Sequence, residues 1–393
     1  MSDSNINAVI SLTPFLDPQK DINIDEGKWV ALNRQYTQRQ LSYAIVELKC
    51  NGQLRTPAPL FQLQDALNDF QSLQELDASH IIPSTRFDTK YNVPLPNPLG
   101  ILPVSAIGTT ASDFFHYHLR SRVGDYHSNR GIAVRWERMT HGNSNFLSAI
   151  WSLKLKKLTR ITLLGALRMR LVLVSQFRPA SAKAIYTLYG GGDVLDFCGG
   201  WGDRLAAAAA AYPLVKSFTI VEPRPEAAPL YAQQLANYGV TMPLTVHSRC
   251  AEDVLPELDT HSFDIVFTSP PYFDCEHYGD VTTTPDTQSH RKFRHFEVWL
   301  HSFLFKVVGE SIRLLRPNGV LVLNINDIMR RGTRHLLCTE LLTYVQQQFN
   351  TTMNYLGVWG YPMSQRMGRN LQGHRQKIEK ITRVEPVYVW RKK

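Results

Sequence analysis

The chain has 393 residues, 44% of them apolar and 20% charged. That composition excludes a disordered or fibrous chain and leaves room for two domains or one enlarged one. The balance of 43 basic against 34 acidic residues gives a net charge of +9, which favours a polyanionic partner over an acidic surface.

The N-terminal stretch Met1 to Leu12 lacks the basic start and apolar core of a signal peptide. Residues 1–110 read as an accessory region of mixed or helical character, in which Leu41 to Leu48 fits either a strand or a helix and prolines 57, 59, 94 and 103 punctuate loops. Residues 111–175 read as helical, over Asp113 to Arg122 and again over Ser144 to Val174. Lys154, Lys156, Lys157, Arg160, Arg168, Arg170 and Arg178 share a stretch without a single acid. It fits a solvated face or a phosphate-contacting one. The longest apolar run, Ile161 to Val174, is interrupted by Arg168 and Arg170, so no membrane span is expected.

Residues 176–393 alternate regularly. Strands are expected at Asp193 to Phe197, Ser217 to Glu222, Leu244 to His247, Phe263 to Thr268, Gly319 to Ile325, Asn354 to Trp359 and Val387 to Trp390. Helices are expected at Leu205 to Tyr212, Glu226 to Tyr238, Phe296 to Leu315 and Thr333 to Phe349. The alternation implies an α/β, Rossmann-like, doubly wound and mostly parallel sheet of seven strands. The five cysteines, at 50, 198, 250, 275 and 338, form no CxxC pair. No structural zinc or disulfide framework is expected, and a reducing, cytoplasmic setting fits.

Three segments carry chemistry. The turn from Asp196 through Phe197, Cys198, Gly199, Gly200, Trp201 and Gly202 to Asp203 joins a strand to a helix. Its glycines let backbone approach a ligand, and the helix start favours a negative group. Glu222, at the end of the next strand, stands where an acid accepts hydrogen bonds from ribose hydroxyls. These two alone fit any nucleotide-like cofactor. The third segment, Thr268-Ser269-Pro270-Pro271-Tyr272-Phe273, follows the fourth strand, and ligands of open α/β sheets bind at the carboxyl ends of strands. An exocyclic amine on a base is a poor nucleophile because its lone pair is delocalised into the ring. Acceptors on Ser269 (side chain or carbonyl) and the Pro270 carbonyl, held by Pro271, would draw the nitrogen towards a tetrahedral shape. Tyr272, with Phe273 beside it, offers a ring on which an extruded base can stack. Since the methylated nitrogen is strongly acidic, positioning would supply most of the catalysis.

These residues resemble the class I amino-methyltransferases of DNA, in particular those of phages and large DNA viruses. The likeness runs over roughly 105–393. It includes IGxxASDxF with a following arginine in Ile107 to Arg122, FRPxxAKxIY from Phe177 to Tyr186, the glycine turn, TSPPYF and the segment Glu276 to Asp280. It implies S-adenosylmethionine as cofactor, DNA as favoured partner, and transfer to an amino nitrogen, with N4 of cytosine ahead of N6 of adenine because of Ser269. RNA bases, a protein glutamine amide, or a non-catalytic nucleic-acid-binding protein that retains the fold are the alternatives. It also implies that Ala182 and Lys183 lie over the cofactor's methionine end, that Asp196 to Gly202 line it with Ser269 alongside, and that Glu222 holds its ribose. Cys250 replaces the usual adenine-contacting acid, leaving Ala251 backbone or Glu252 for that task. With no room for a recognition domain between the glycine turn and SPPY, recognition falls to the N-terminal region or to two loops with candidate DNA contacts, Asp280 to Arg294 and Gly360 to Lys380. One carries Arg291, Lys292 and Arg294; the other carries Tyr361, Arg366, Arg369, His374 and Arg375.

Overall fold

The computed structural model describes residues 10–78, 97–103, 105–125, 130–171, 173–278, 287–330, 332–362 and 384–393. Sequence reading put boundaries at 110 and 175. The structure groups 1–60 with 118–174 and 277–281 in one unit, and 61–117 with 175–276 and 282–393 in another.

The first unit is mostly helical. Leu41 to Leu48 lies inside a helix, Gln38–Cys50. Thr37 and Gln40 form a reciprocal capping box at its start, and Leu41, Ala44, Ile45 and Leu48, at helical spacing, form its buried face. They join Trp29, Trp136, Leu147, Leu163 and Leu167 in one apolar core. The expected long helix of 144–174 is instead broken. A 3₁₀ turn Asn145–Ser148 and a helix Ala149–Ser152 precede a short strand, Leu158–Thr159, and a helix, Arg160–Arg168. The strand pairs with Asn23–Ile24, and Thr159 caps the helix that follows. Of the basic stretch, Lys154, Lys156, Lys157, Arg168 and Arg170 are exposed, while Arg160 reaches Asp21 at 3.2 Å.

The second unit is built on the sheet. Its elements are α1 (Leu63–Glu75), β1 (Pro98–Ile101), α2 (Thr109–Arg120, of which the residues to Tyr117 belong here), α3 (Pro179–Tyr189) and β2 (Gly192–Asp196). There follow α4 (Asp203–Ala210), β3 (Val215–Val221), α5 (Ala228–Tyr238), β4 (Leu244–His247) and β5 (Phe263–Thr268). Then come α6 (Phe296–Trp299), a π-helical stretch Leu300–Phe305, α7 (Lys306–Leu314), β6 (Leu315–Asn324), β7 (Ile328–Arg330) and β8 (Thr333–His335). The last elements are α8 (Leu337–Phe349), β9 (Met353–Pro362) and β10 (Val384–Lys392).

The strand order is β1-β9-β10-β6-β5-β2-β3-β4. Neighbours are parallel except that β10 runs antiparallel to both β9 and β6. This is the Rossmann-like, doubly wound, mostly parallel sheet expected, with one strand more: β1 pairs parallel with β9. Its sequence, PLGI, is short and carries both a proline and a glycine, so it reads as a loop. Val194, Leu195, Ile265, Val266 and Leu321 to Leu323 are fully buried, as strands covered on both faces require. The alanine-rich α4 is buried along its length, and its small side chains let it approach the sheet closely.

Two expected helices change shape. Phe296 to Leu315 is helical only to Leu314 and has a π-helical middle. Thr333 to Phe349 begins as the second strand of a hairpin with β7. The helix starts only at Leu337, where Asp327 Oδ1 accepts from the Cys338 N–H at 3.0 Å. No helix among the described residues is long and apolar enough to cross a membrane.

Candidate active site

The turn after β2 is held from within. Asp196 is 1% exposed. Its Oδ2 accepts from Arg204 Nε at 2.8 Å, and its Oδ1 from Thr268 Oγ1 at 2.8 Å and from the Cys198 N–H at 3.2 Å. Burial works against the Arg204 cation, but Asp196 outweighs it and the guanidinium pKa rises. Asp196 therefore shapes the turn with a carboxylate already engaged by protein donors. Phe197, expected along the cofactor, has its side chain fully buried in the apolar core. Cys198 is half-buried, and burial, followed by Asp196 and Glu222, holds its thiol well above the usual range.

Gly200 and Gly202 have φ of +61° and +69°, a region costly to residues with a Cβ. At Gly202 a Cβ would lie 2.2 Å from Gln234 Oε1 and 2.6 Å from His116 Nε2, whereas at Gly200 nothing comes nearer than 3.6 Å. The open side of the turn is thus at Gly200. Glu222 stands against it, 6% exposed. Its Oε2 accepts from the Gly200 N–H at 3.1 Å and Arg224 Nη2 at 2.9 Å; its Oε1 accepts from Arg224 Nε at 2.8 Å and the Arg224 N–H at 3.2 Å. The Arg224 guanidinium lies 4.2 Å from the Trp201 ring centre. A ribose at Glu222 must therefore share or displace Arg224, which the sequence did not reveal.

The IGxxASDxF segment docks behind this turn. Asp69 accepts from the N–H groups of Gly108, Thr110 and Ala111 at the start of α2. Ser112 Oγ donates to Asp203 at 2.5 Å, Gln176 Nε2 bridges Asp113 and Asp203 at 3.0 and 3.1 Å, and His116 Nε2 is 2.9 Å from Gln234 Oε1. Ala182 is buried inside α3. Lys183, expected over the cofactor, is 7% exposed. Its Nζ donates to the carbonyls of Leu73, Gln74 and Leu76 at 2.7 to 2.8 Å, satisfying the C-terminal end of α1.

Thr268, at the end of β5, ties SPPY to the glycine turn through its bond to Asp196. Ser269 Oγ lies 3.3 Å from Asn324 Oδ1. Tyr272 Oη donates towards the Asn324 carbonyl at 3.3 Å and Glu385 Oε2 at 3.4 Å. Burial, with Glu385 adding to it, keeps this phenol well above its ordinary pKa. Pro270 is buried and Pro271 half-buried. Phe273, expected beside the base, has φ +51° and is 9% exposed, and its ring packs 5.6 Å from those of both Phe296 and Trp299. That packing anchors the loop.

After β4, Ala251 and Glu252 are buried and Cys250 is half-buried, its thiol pushed up to about 11 chiefly by burial. Lys292, expected to contact DNA, pairs with Glu252 at 2.9 Å and Asp253 at 3.0 Å. Cys250, Glu252 and Asp253 have ligand atoms close enough for a metal, yet Lys292 already supplies the opposing charge. Arg291 is half-buried and Arg294 exposed. Tyr361 is no surface loop residue. It is 3% exposed in β9, stacks on Phe177 at 4.4 Å, accepts from the Arg178 N–H at 3.0 Å and donates to the Gln176 carbonyl at 2.8 Å. Arg366, Arg369, His374 and Arg375 lie outside the described residues.

Asn324, Glu385, Arg204 and Arg224 were not singled out from sequence. Asn324 and Glu385 had a signal available: each is a lone polar residue in or beside an apolar strand run, LVLNI and VEPVYVW.

No protein-family model and no curated protein matches the chain. Among solved structures, similar ones include a SAM-dependent O-methyltransferase from Thermotoga maritima, at 14% identity and TM-score 0.33, covering 56% of this chain and 67% of that one. An rRNA methylase from Streptococcus thermophilus is 12% identical with TM-score 0.33, covering 56% and 99%. A tRNA methyltransferase from Aquifex aeolicus is 9% identical with TM-score 0.34, covering 56% and 71%. Likenesses this partial say nothing of substrate; the fold rests on the strand order itself.

Proposed function

We propose that the protein transfers a methyl group from S-adenosylmethionine to the exocyclic amino nitrogen of a base in DNA, with N4 of cytosine as the preferred target. The observation that carries this reading is Thr268 to Tyr272 at the carboxyl end of β5, joined to the glycine turn by the 2.8 Å bond from Thr268 to Asp196.

The residues fit the cofactor. Gly200 leaves the space beside its Cα open to a ligand, and Glu222, bonded to the Gly200 N–H, offers an acceptor for ribose hydroxyls. Asp113 and Asp203, bridged by Gln176, complement the ammonium of a methionine moiety. When bound, S-adenosylmethionine supplies an electrophilic methyl group. Ser269 and the Pro270 carbonyl accept the amino hydrogens of the target and localise its lone pair. Asn324 keeps the Ser269 hydroxyl turned. Tyr272 stacks on the base after extrusion from its duplex. The exposed Lys154, Lys156, Lys157, Arg168 and Arg170 serve phosphate contacts.

The test is methyl transfer from labelled cofactor to DNA, RNA and protein offered in parallel. Label in N4-methylcytosine of DNA supports the reading. Label confined to RNA or to protein glutamine retains the chemistry and refutes the substrate.

A further inference from the structure

Glu385 opens β10 at the carboxyl edge of the parallel strands, on the same side as SPPY. The sheet order places β10 directly beside β6, which brings this carboxyl group to Tyr272 at 3.4 Å. Asn324, whose Oδ1 meets Ser269 Oγ at 3.3 Å, donates its Nδ2 to the carbonyl of Pro386, the residue after Glu385, at 3.2 Å. Ser269, Asn324, Glu385 and Tyr272 thus form one cluster at the SPPY loop, where the functional reading places the target amino group.

Building on the amino-methyltransferase reading, we propose that Glu385 is the proton acceptor of the reaction, taking up the proton released from the methylated nitrogen. The N–CH₃ bond forms as the S–CH₃ bond breaks, and one N–H proton of the resulting cationic amine passes to the Glu385 carboxylate, leaving a neutral methylamino base. SPPY carries a serine where a carboxylate would serve as acceptor, and Glu385 supplies that carboxylate from β10, on the far side of β6. Its surroundings suit the task. Facing it are Tyr272 from the loop, Glu276 from the segment after the loop, Asn324 from β6 and Tyr361 from β9. Burial, and then Glu276, push the carboxyl up to about 7, against the hydrogen bonds from Tyr272 and Asn324. A base poised near the working pH is the most effective one, and the acidity of the methylated nitrogen asks for nothing stronger.

The test uses the full chain under single-turnover conditions, which isolate chemistry from product release. The wild-type rate should rise with pH through about 7 and then level. Glu385→Gln, nearly isosteric, should react on the order of 100-fold more slowly, lose the pH step, and keep its affinity for cofactor and DNA. Infrared titration of the cofactor-free protein should show a protonated carboxyl band that disappears near neutrality and is missing in Glu385→Gln. A variant with wild-type rate and profile, or a wild-type rate that falls as pH rises, would overturn the assignment alone. A wild type that methylates no base at all would overturn the functional reading, and this assignment with it.

Discussion

The two glycines of the turn make opposite demands, and alanine at each should separate them. Both have positive φ, so alanine carries a backbone cost of about 1–2 kcal/mol at either position. At Gly200 the cost stops there, since the nearest heavy atoms to a Cβ lie at 3.6 Å. At Gly202 the Cβ would sit 2.2 Å from Gln234 Oε1 and 2.6 Å from His116 Nε2. Gln234 is fully buried; it donates to the Gly202 carbonyl at 2.9 Å and to Tyr238 Oη at 3.0 Å and meets His116 at 2.9 Å. Moving it forfeits two or three buried hydrogen bonds at about 1 kcal/mol each, so Gly202→Ala should lose roughly 3–5 kcal/mol in all. Urea unfolding of the two variants beside wild type measures this, with calorimetry of cofactor binding alongside. Gly200→Ala should stay well folded and bind cofactor more weakly, because its methyl enters the open side of the turn. If Gly202→Ala unfolds within about 1 kcal/mol of Gly200→Ala, the close packing of the turn on Gln234 is not what the glycine protects.

Three further expectations follow from the same site. Arg204→Met strands a buried Asp196 carboxylate and should destabilise by about 3–5 kcal/mol, read by unfolding at pH 7; a loss under 1 kcal/mol would show the pair is dispensable. Tyr272→Ala should weaken binding of a target oligonucleotide by about 1–3 kcal/mol with cofactor affinity unchanged, and equal loss of both would make the loop purely structural. The Glu385 carboxyl is raised from 4.5 to about 7 in the folded chain, so the native state holds a proton that the unfolded state has released. Its contribution is complete below 4.5 and is lost as pH rises towards 7, and Glu385→Gln should flatten stability over that window; an unchanged slope would place the titration elsewhere.

The parallel core of the sheet was legible because its strands are buried on both faces, so FDIVFT and GVLVLNI appear as unbroken apolar runs between helical segments. Edges and interruptions were not. β1 hides in a proline-rich stretch, and the β7–β8 hairpin is erased by a helical pattern whose true start depends on Asp327, 11 residues before the Cys338 N–H it accepts from. At the site, the motif identified which segments meet, but not which way side chains turn. Lys183 and Tyr361 look like ligand contacts in sequence, yet Lys183 finds the carbonyls at the end of α1 and Tyr361 finds the FRP backbone. Glu385 lies 113 residues from its Tyr272 partner, and only the antiparallel placement of β10 brings them together.

The central claim is tested most directly by incubating the full chain with labelled S-adenosylmethionine and DNA, then digesting the DNA to nucleosides. The account predicts label in N4-methylcytosine, absent from a Ser269→Ala, Tyr272→Ala double variant that still binds cofactor. Label on a ring carbon, or a protein that binds cofactor and transfers nothing to any base, would contradict it.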